Sequence, residues 1–355
     1  MTHCCKLGSL PSSRSTTGIS LRPCKTAAAG PAGRRSRAFA ADADVVARRL
    51  GDRVAHWITH NELWVVAFLG HAFDIHARGL QDVATALLVS HHLLVSHGLA
   101  AQAIQGAVQR PPVGITLTLS AVRPASAAET DQLAAQRDDG VLNRWLLDPL
   151  FARGYPPDML QVYGERIPAI TPGDLNMGAQ PLDFLGVNYD TPAFVRHHPG
   201  RTDLLDLALF CPAELQAVGY ETTEMGWAIV PVGLAELLAR LERDYAPPTL
   251  YITENGAAFD DHLVDPEVHD PRRIAFLQDH IAVASQTIQA GVPFRGDFVW
   301  SLLDNFEWAQ GYSKRFALVH TDYETLERIP EDSSRWYSQV VQSNRLGEPE
   351  ESALP

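Results

Sequence analysis

The chain is short of cysteine, of basic charge and of long apolar runs. Four cysteines occur in 355 residues: Cys4, Cys5 and Cys24 crowd near the start, and Cys211 stands alone in the body. That spacing offers neither a disulfide framework nor a thiolate metal set, and a reducing cytoplasm is the expected location. Lys and Arg number 29 against 42 Asp and Glu, for a net charge of −13. A surface of that sign excludes the usual nucleic-acid binder. No run of 18 consecutive apolar residues occurs, so no membrane span is expected. No glycine-rich loop follows a strand-like segment, so a dinucleotide fold lacks its fingerprint.

What remains is a globular composition, 46% hydrophobic and 20% charged, with seven Trp and nine Tyr to serve either as core or as sugar-stacking faces. Charge is unevenly placed. Residues 1–40 carry Lys6, Arg14, Arg22, Lys25, Arg34, Arg35 and Arg37 and no acid. They are rich in Ser, Gly, Ala and Pro without periodicity, so a disordered segment is expected there, followed by a folded body over 41–345 and a tail over 346–355. Two origins stand open for the segment. It suits a basic targeting peptide. Alternatively, the string at 14–26 can be encoded by DNA that reads His-His-Trp-Asp-Leu in a shifted frame, with the frame restored near Phe39–Ala43.

From Ala41 onward, strand-like and helix-like segments alternate. Strands are expected at His56–His60, Val113–Val122, Phe184–Tyr189, Leu250–Thr253 and Gly296–Leu302. Helices are expected at Ala41–Leu50, Asp82–Gln109, Glu129–Leu150, Val232–Tyr245, Pro271–Ala290 and Ser334–Ser343. This alternation indicates an α/β fold with a parallel sheet. In a βα barrel, polar residues just past the strand ends face the active site. Here those positions hold Asn61-Glu62, Asn188-Tyr189-Asp190, Glu254-Asn255 and the run Asp304 to Trp308.

Such a set suits glycoside hydrolysis, which needs two carboxyl groups ~5–5.5 Å apart in its retaining form. Plainer readings stand beside it. Glu254 can be a loop carboxylate, Glu62 a helix-start acid favoured by the macrodipole, and Trp300, Glu307 and Trp308 an aromatic core corner. His91, His92 and His97 share one helix without the zinc spacing and are read as packing residues.

Taken in order, four motifs resemble glycoside hydrolase family 1: residues 56–62, 183–192, 250–256 and 297–316. The resemblance runs from about Ala43 to about Val341. It implies a β-glucosidase of retaining mechanism, with Glu254 as nucleophile and Glu62 as acid/base. It further implies that Asn61 contacts the sugar near the reacting carbon and that Asn188 belongs to the substrate site. Glu307 and Trp308 would hold the far hydroxyls, Trp300 would floor the site and Phe316 would line it. Substrates would be β-linked glucosides or oligosaccharides. No metal and no cofactor are implied.

The chain departs from the family pattern. The acid/base glutamate ends the fourth of eight strands in the family barrel, yet it is residue 62 here. The expected fold is therefore a partial TIM (β/α)8 barrel, with strands four to eight present and the first three missing. Open edges of that kind invite self-association. Leu63 replaces a family proline, Asp190 a tyrosine and Ala317 a glycine, and Arg78 stands where proline is usual. Two functions stay open: an active glycosidase, or a catalytically dead carbohydrate-binding remnant of one.

Overall fold

The structure is a computed structural model and describes residues 3–5, 17–20, 32–77, 79–199, 209–264 and 267–346. Much of the basic N-terminal segment lies outside the described residues, as do Arg78 and the tail beyond 346.

All five expected strands form, as Val54–Asn61, Val113–Thr118, Phe184–Asn188, Leu250–Asn255 and Phe294–Val299. They pair in parallel in that order. Thr17–Ser20 adds a parallel strand beside Val54–Asn61, and His3–Cys5 pairs antiparallel with it. The sheet runs from His3–Cys5 at one edge to Phe294–Val299 at the other, an open wall among the described residues. Its strands from Thr17–Ser20 onward follow one another in chain order with helices between, as in a barrel wall. Phe184–Asn188 is buried throughout, as expected of a strand covered on both faces.

Two helices differ from expectation, and the long one between them forms as expected. The first begins at Ala32 and runs to Leu50, so residues 32–40 belong to the folded body. Their composition hid a helical face. Ser36 is buried and donates to the His92 carbonyl at 3.3 Å, and Phe39 stacks on His60 at 4.4 Å, while Arg34 and Arg37 point to solvent. The long helix Val83–Ala107 is capped by Asp82, which accepts from Ala84 N at 3.0 Å. An 18-residue window of it has a mean hydropathy of 1.4, enough by length and composition to cross a membrane, but 72% of that window is buried inside the protein. It is a core helix, packed on Ala32–Leu50 and on Pro172–Gly178. Gly98 permits the second contact, because a Cβ there would lie 1.7 Å from the Met177 carbonyl oxygen. The expected helix Glu129–Leu150 is interrupted by a π-turn over Gly140–Arg144. That turn brings Arg144 onto Asp139 at 2.9 Å and onto Asp158 at 2.7 Å.

The main core lies between the wall and its helices. Leu117, Leu185, Val187 and Ile252 from the sheet meet Leu234, Leu238 and Leu241 from the helix Pro231–Tyr245. Leu63 is part of the same core. His91 and His97 are packing residues, with Nδ1 atoms 3.1 Å from the Tyr155 hydroxyl and 2.6 Å from the Thr59 hydroxyl.

Candidate active site

Glu62 follows the last residue of its strand. Its N–H still donates to the Thr116 carbonyl at 3.0 Å, while its φ of +57° turns the chain away from the sheet. A non-glycine residue in this left-handed region costs about 1–2 kcal/mol, so the surroundings must enforce it. Leu63, buried directly behind, begins the helical turn that anchors the bend.

Glu254 is held differently, inside its strand. The Asn255 side chain donates to the Tyr189 carbonyl at 2.7 Å, and the Trp300 N–H donates to the Asn255 carbonyl at 3.0 Å. The chain then passes so close to its neighbour that a Cβ on Gly256 would lie 1.8 Å from the Trp300 carbonyl oxygen. Glycine is required there by space.

Two asparagines connect the acids. The Asn188 amide donates to Glu62 Oε1 at 2.8 Å and to Asn61 Oδ1 at 3.2 Å. Its own oxygen accepts from Thr253 Oγ1 at 2.7 Å. Asn61 donates in turn to Glu254 Oε1 at 3.3 Å. The strands bearing Asn61 and Glu254 are separated by two others. In a flat sheet with ~4.8 Å spacing they would stand roughly 14 Å apart. The side-chain contact therefore requires the wall to curl around these residues.

They open onto a cavity of about 530 Å³, which Asn61, Glu62, Glu254, Trp300, Glu307, Trp308 and Phe316 all line. Trp308 has a φ of +42° and stacks over His76 at 5.8 Å, and Phe316 meets Trp227 at 6.0 Å. Asn188 departs from expectation. It is 1% exposed and sits behind the acids, with its amide committed to Glu62 and Asn61 rather than offered to the cavity.

The electrostatics are one-sided. Glu62, Asp190, Glu254 and Glu307 line the cavity, and among the described residues none of its lining is Lys or Arg. Burial first, and then the charges of Glu62 and Glu307, push the Asp190 carboxyl up to about 8. A third acid beside the pair is thus held neutral below that pH.

Thr118, Trp64, His76 and Trp227 also line the cavity and were not anticipated. Thr118 could have been found by the strand-end rule, but the expected strand was carried on to Val122 and its end was misplaced. Trp64 lies in the helical turn that follows Glu62, and His76 and Trp227 lie in irregular segments that carry no periodic signal.

The sequence matches the family described as Glycosyl hydrolase family 1 over residues 35–346. Beta-glucosidase A of Acetivibrio thermocellus is 41% identical over 309 residues, covering 86% of this chain and 68% of that protein. Beta-glucosidase A of Thermotoga maritima is 41% identical over 313 residues, covering 87% of this chain and 68% of that protein. Among solved structures, the family 1 β-glucosidase from Thermotoga maritima superposes with a TM-score of 0.82 at 40% identity, covering 88% of this chain and 69% of that one. That enzyme has also been solved in complex with isofagomine lactam.

Proposed function

This chain belongs to glycosyl hydrolase family 1, and we propose that it hydrolyses terminal non-reducing β-D-glucosyl residues by a retaining double displacement. Glu254 attacks the anomeric carbon as Glu62, carrying the proton, hands it to the departing glycosidic oxygen. A covalent glycosyl–enzyme ester forms at Glu254. Glu62, now ionised, takes a proton from water, and the resulting attack on the anomeric carbon releases the sugar and frees Glu254. Asn61 lies against the reacting end of the sugar, and Glu307 with Trp308 takes its far hydroxyls. Trp300 and Phe316 supply the apolar floor and wall. In this reading the parallel strands from Val54–Asn61 to Phe294–Val299 correspond to the fourth to eighth of the family barrel. No disulfide is needed, which suits a reducing cytoplasm.

The observation that carries this reading is the hydrogen-bonded chain Glu62–Asn188–Asn61–Glu254 at the mouth of one cavity. A second reading keeps the sugar pocket without turnover. It is favoured by Asp190, an extra acid beside Glu62 and Glu307, and by the open sheet.

Hydrolysis of a chromogenic aryl β-glucoside by the 355-residue chain, with Glu254→Gln prepared alongside, separates the two. Turnover abolished by the substitution supports catalysis. A folded chain that binds glucoside without turning it over leaves the binding remnant.

A further inference from the structure

Away from the cavity, a second acidic cluster lies where the loop after Phe294–Val299 meets the C-terminal hairpin and helix. Asp304 belongs to that loop. His320 sits in the strand Val319–Thr321, which pairs with Arg328–Pro330, and Glu331 precedes the helix Asp332–Ser343. These three side chains come from separate turns of the chain. Each is nevertheless buried, with 7%, 8% and 0% exposure for Asp304, His320 and Glu331. One ligand atom from each falls within 4.8 Å of the others.

Two features of the cluster are unlike ordinary buried polar packing. The first is the number of atoms without a hydrogen-bond partner. Asp304 Oδ1, His320 Nδ1 and both Glu331 oxygens are buried without one, as are the neighbouring hydroxyls of Thr321 and Ser333. Buried polar groups are nearly always satisfied, so a concentration of orphans in one place marks a missing partner. His320 Nδ1 faces Asp304 Oδ2 at 3.9 Å.

The second is charge. Asp304 is paired with Arg315 at 2.7 Å. Arg273 is shared among Asp261, Asp270 at 3.1 Å and Glu331 at 3.5 Å. The carboxyl groups of Asp261, Asp270, Asp304 and Glu331 thus outnumber the guanidiniums of Arg273 and Arg315 that pair with them, and burial followed by its contact with Asp270 pushes the Glu331 carboxyl up to about 9. Uncompensated charge away from water is expensive. A divalent cation would take the place of the proton on Glu331 and give the orphan atoms a common partner.

We propose that Asp304, His320 and Glu331 form a structural site for a divalent transition-metal cation. Two carboxylate oxygens and one imidazole nitrogen suit Zn2+, with a water or a neighbouring hydroxyl as fourth ligand. The ion would pin the loop that carries Glu307 and Trp308 to the C-terminal helix. It lies apart from the sugar chemistry and does not depend on that reading.

The test is titration of the full chain with Co2+ as a spectroscopic probe, followed by displacement with Zn2+, each monitored alongside thermal unfolding. The expected result is one Co2+ per chain, with a visible absorption distinct from that of the aquo ion, and a rise in Tm on adding Zn2+. Both effects are lost in Glu331→Gln and in His320→Phe. The near-isosteric Glu331→Gln guards against a failure of the His320 variant to fold. Absence of binding overturns the proposal. So does binding that survives both substitutions, which would place the ion on surface histidines. A Glu331→Gln chain of higher Tm, with wild type indifferent to either cation, also overturns it and shows that Glu331 carries a proton instead.

Discussion

Asn188 donates its amide to Glu62 at 2.8 Å while its carbonyl oxygen is held by Thr253 at 2.7 Å. The acid is thus oriented from behind by a side chain that is itself locked in place. Asn188→Ala is expected to lower kcat on an aryl β-glucoside by about 10²-fold, the usual result of misplacing a reacting group. KM should move little, because the amide faces the carboxylate rather than the cavity. A variant with raised KM and unchanged kcat would argue instead that Asn188 binds sugar.

Asp190 makes the fold pH-sensitive in an unusual sense. Its carboxyl is moved from 3.8 up to about 8 by burial and then by Glu62 and Glu307. Between those values the native state holds a proton that the unfolded chain releases, so stability declines as pH rises from about 4 to about 8. Asp190→Asn keeps the neutral form at every pH. The variant should match wild type near pH 4 and be the more stable at pH 8.5, as read by thermal unfolding. It should also extend the alkaline limb of the rate profile. Parallel pH curves for the two proteins would refute the assignment.

His60 behaves in the opposite way. Burial and then the charge of His97 move its pKa from 6.5 down to about 3. The unfolded chain therefore binds the proton first as pH falls, and stability is lost from about 6.5 downward. Neither ring nitrogen has a hydrogen-bond partner, and the ring stacks flat on Phe39. His60→Phe is expected to stabilise the protein by about 1 kcal/mol at pH 7, because it removes two unpartnered buried polar atoms and keeps a flat ring against Phe39, the slightly larger ring offsetting part of the gain. The gain should widen at pH 5. Denaturant unfolding at the two pH values measures it.

Gly256→Ala should do damage out of proportion to one methyl group. The added Cβ would collide with the Trp300 carbonyl, and the collision is between two backbones, so no side-chain rotation relieves it. A loss of about 1–3 kcal/mol is expected, together with lost turnover as the Glu254 and Trp300 strands are forced apart. Wild-type stability in this variant would mean the two strands separate readily.

Among the described residues the parallel wall ends at Phe294–Val299, which pairs on one side only, with Leu250–Asn255. Unpaired strand edges recruit other strands. Sedimentation velocity of the purified chain is expected to show concentration-dependent association. A strictly monomeric chain across a hundredfold range would contradict it.

Much of this was legible in the sequence, for a physical reason. Barrel strands deliver their functional side chains at one end, so finding a strand locates its chemistry. Glu62, Glu254 and Glu307 follow from that rule and meet in the cavity, together with Trp300, which the family resemblance supplied. Thr118 was missed because Leu119 to Val122 continue the apolar pattern after the ladder has ended. The start of the first helix was hidden because arginines on its solvent face dominate the composition, while Ser36 and Phe39 on the other face do the packing. That Asn188 is bonded to Glu62 and Asn61 behind the cavity could not be read from its strand-end position, which does not reveal whether an amide is already engaged by its neighbours. The π-turn at Gly140–Arg144 has no counterpart in a 3.6-residue periodicity, and the cluster at Asp304, His320 and Glu331 is assembled only by folding.

The positive φ of Glu62 sets two demands against each other at one position. The backbone there would be most comfortable with glycine or asparagine, whereas the proposed proton transfer needs a carboxyl group. Glu62→Asn should therefore yield a sturdier protein that does nothing. Any search that ranks variants of this chain by robustness alone will drift toward that substitution and away from catalysis.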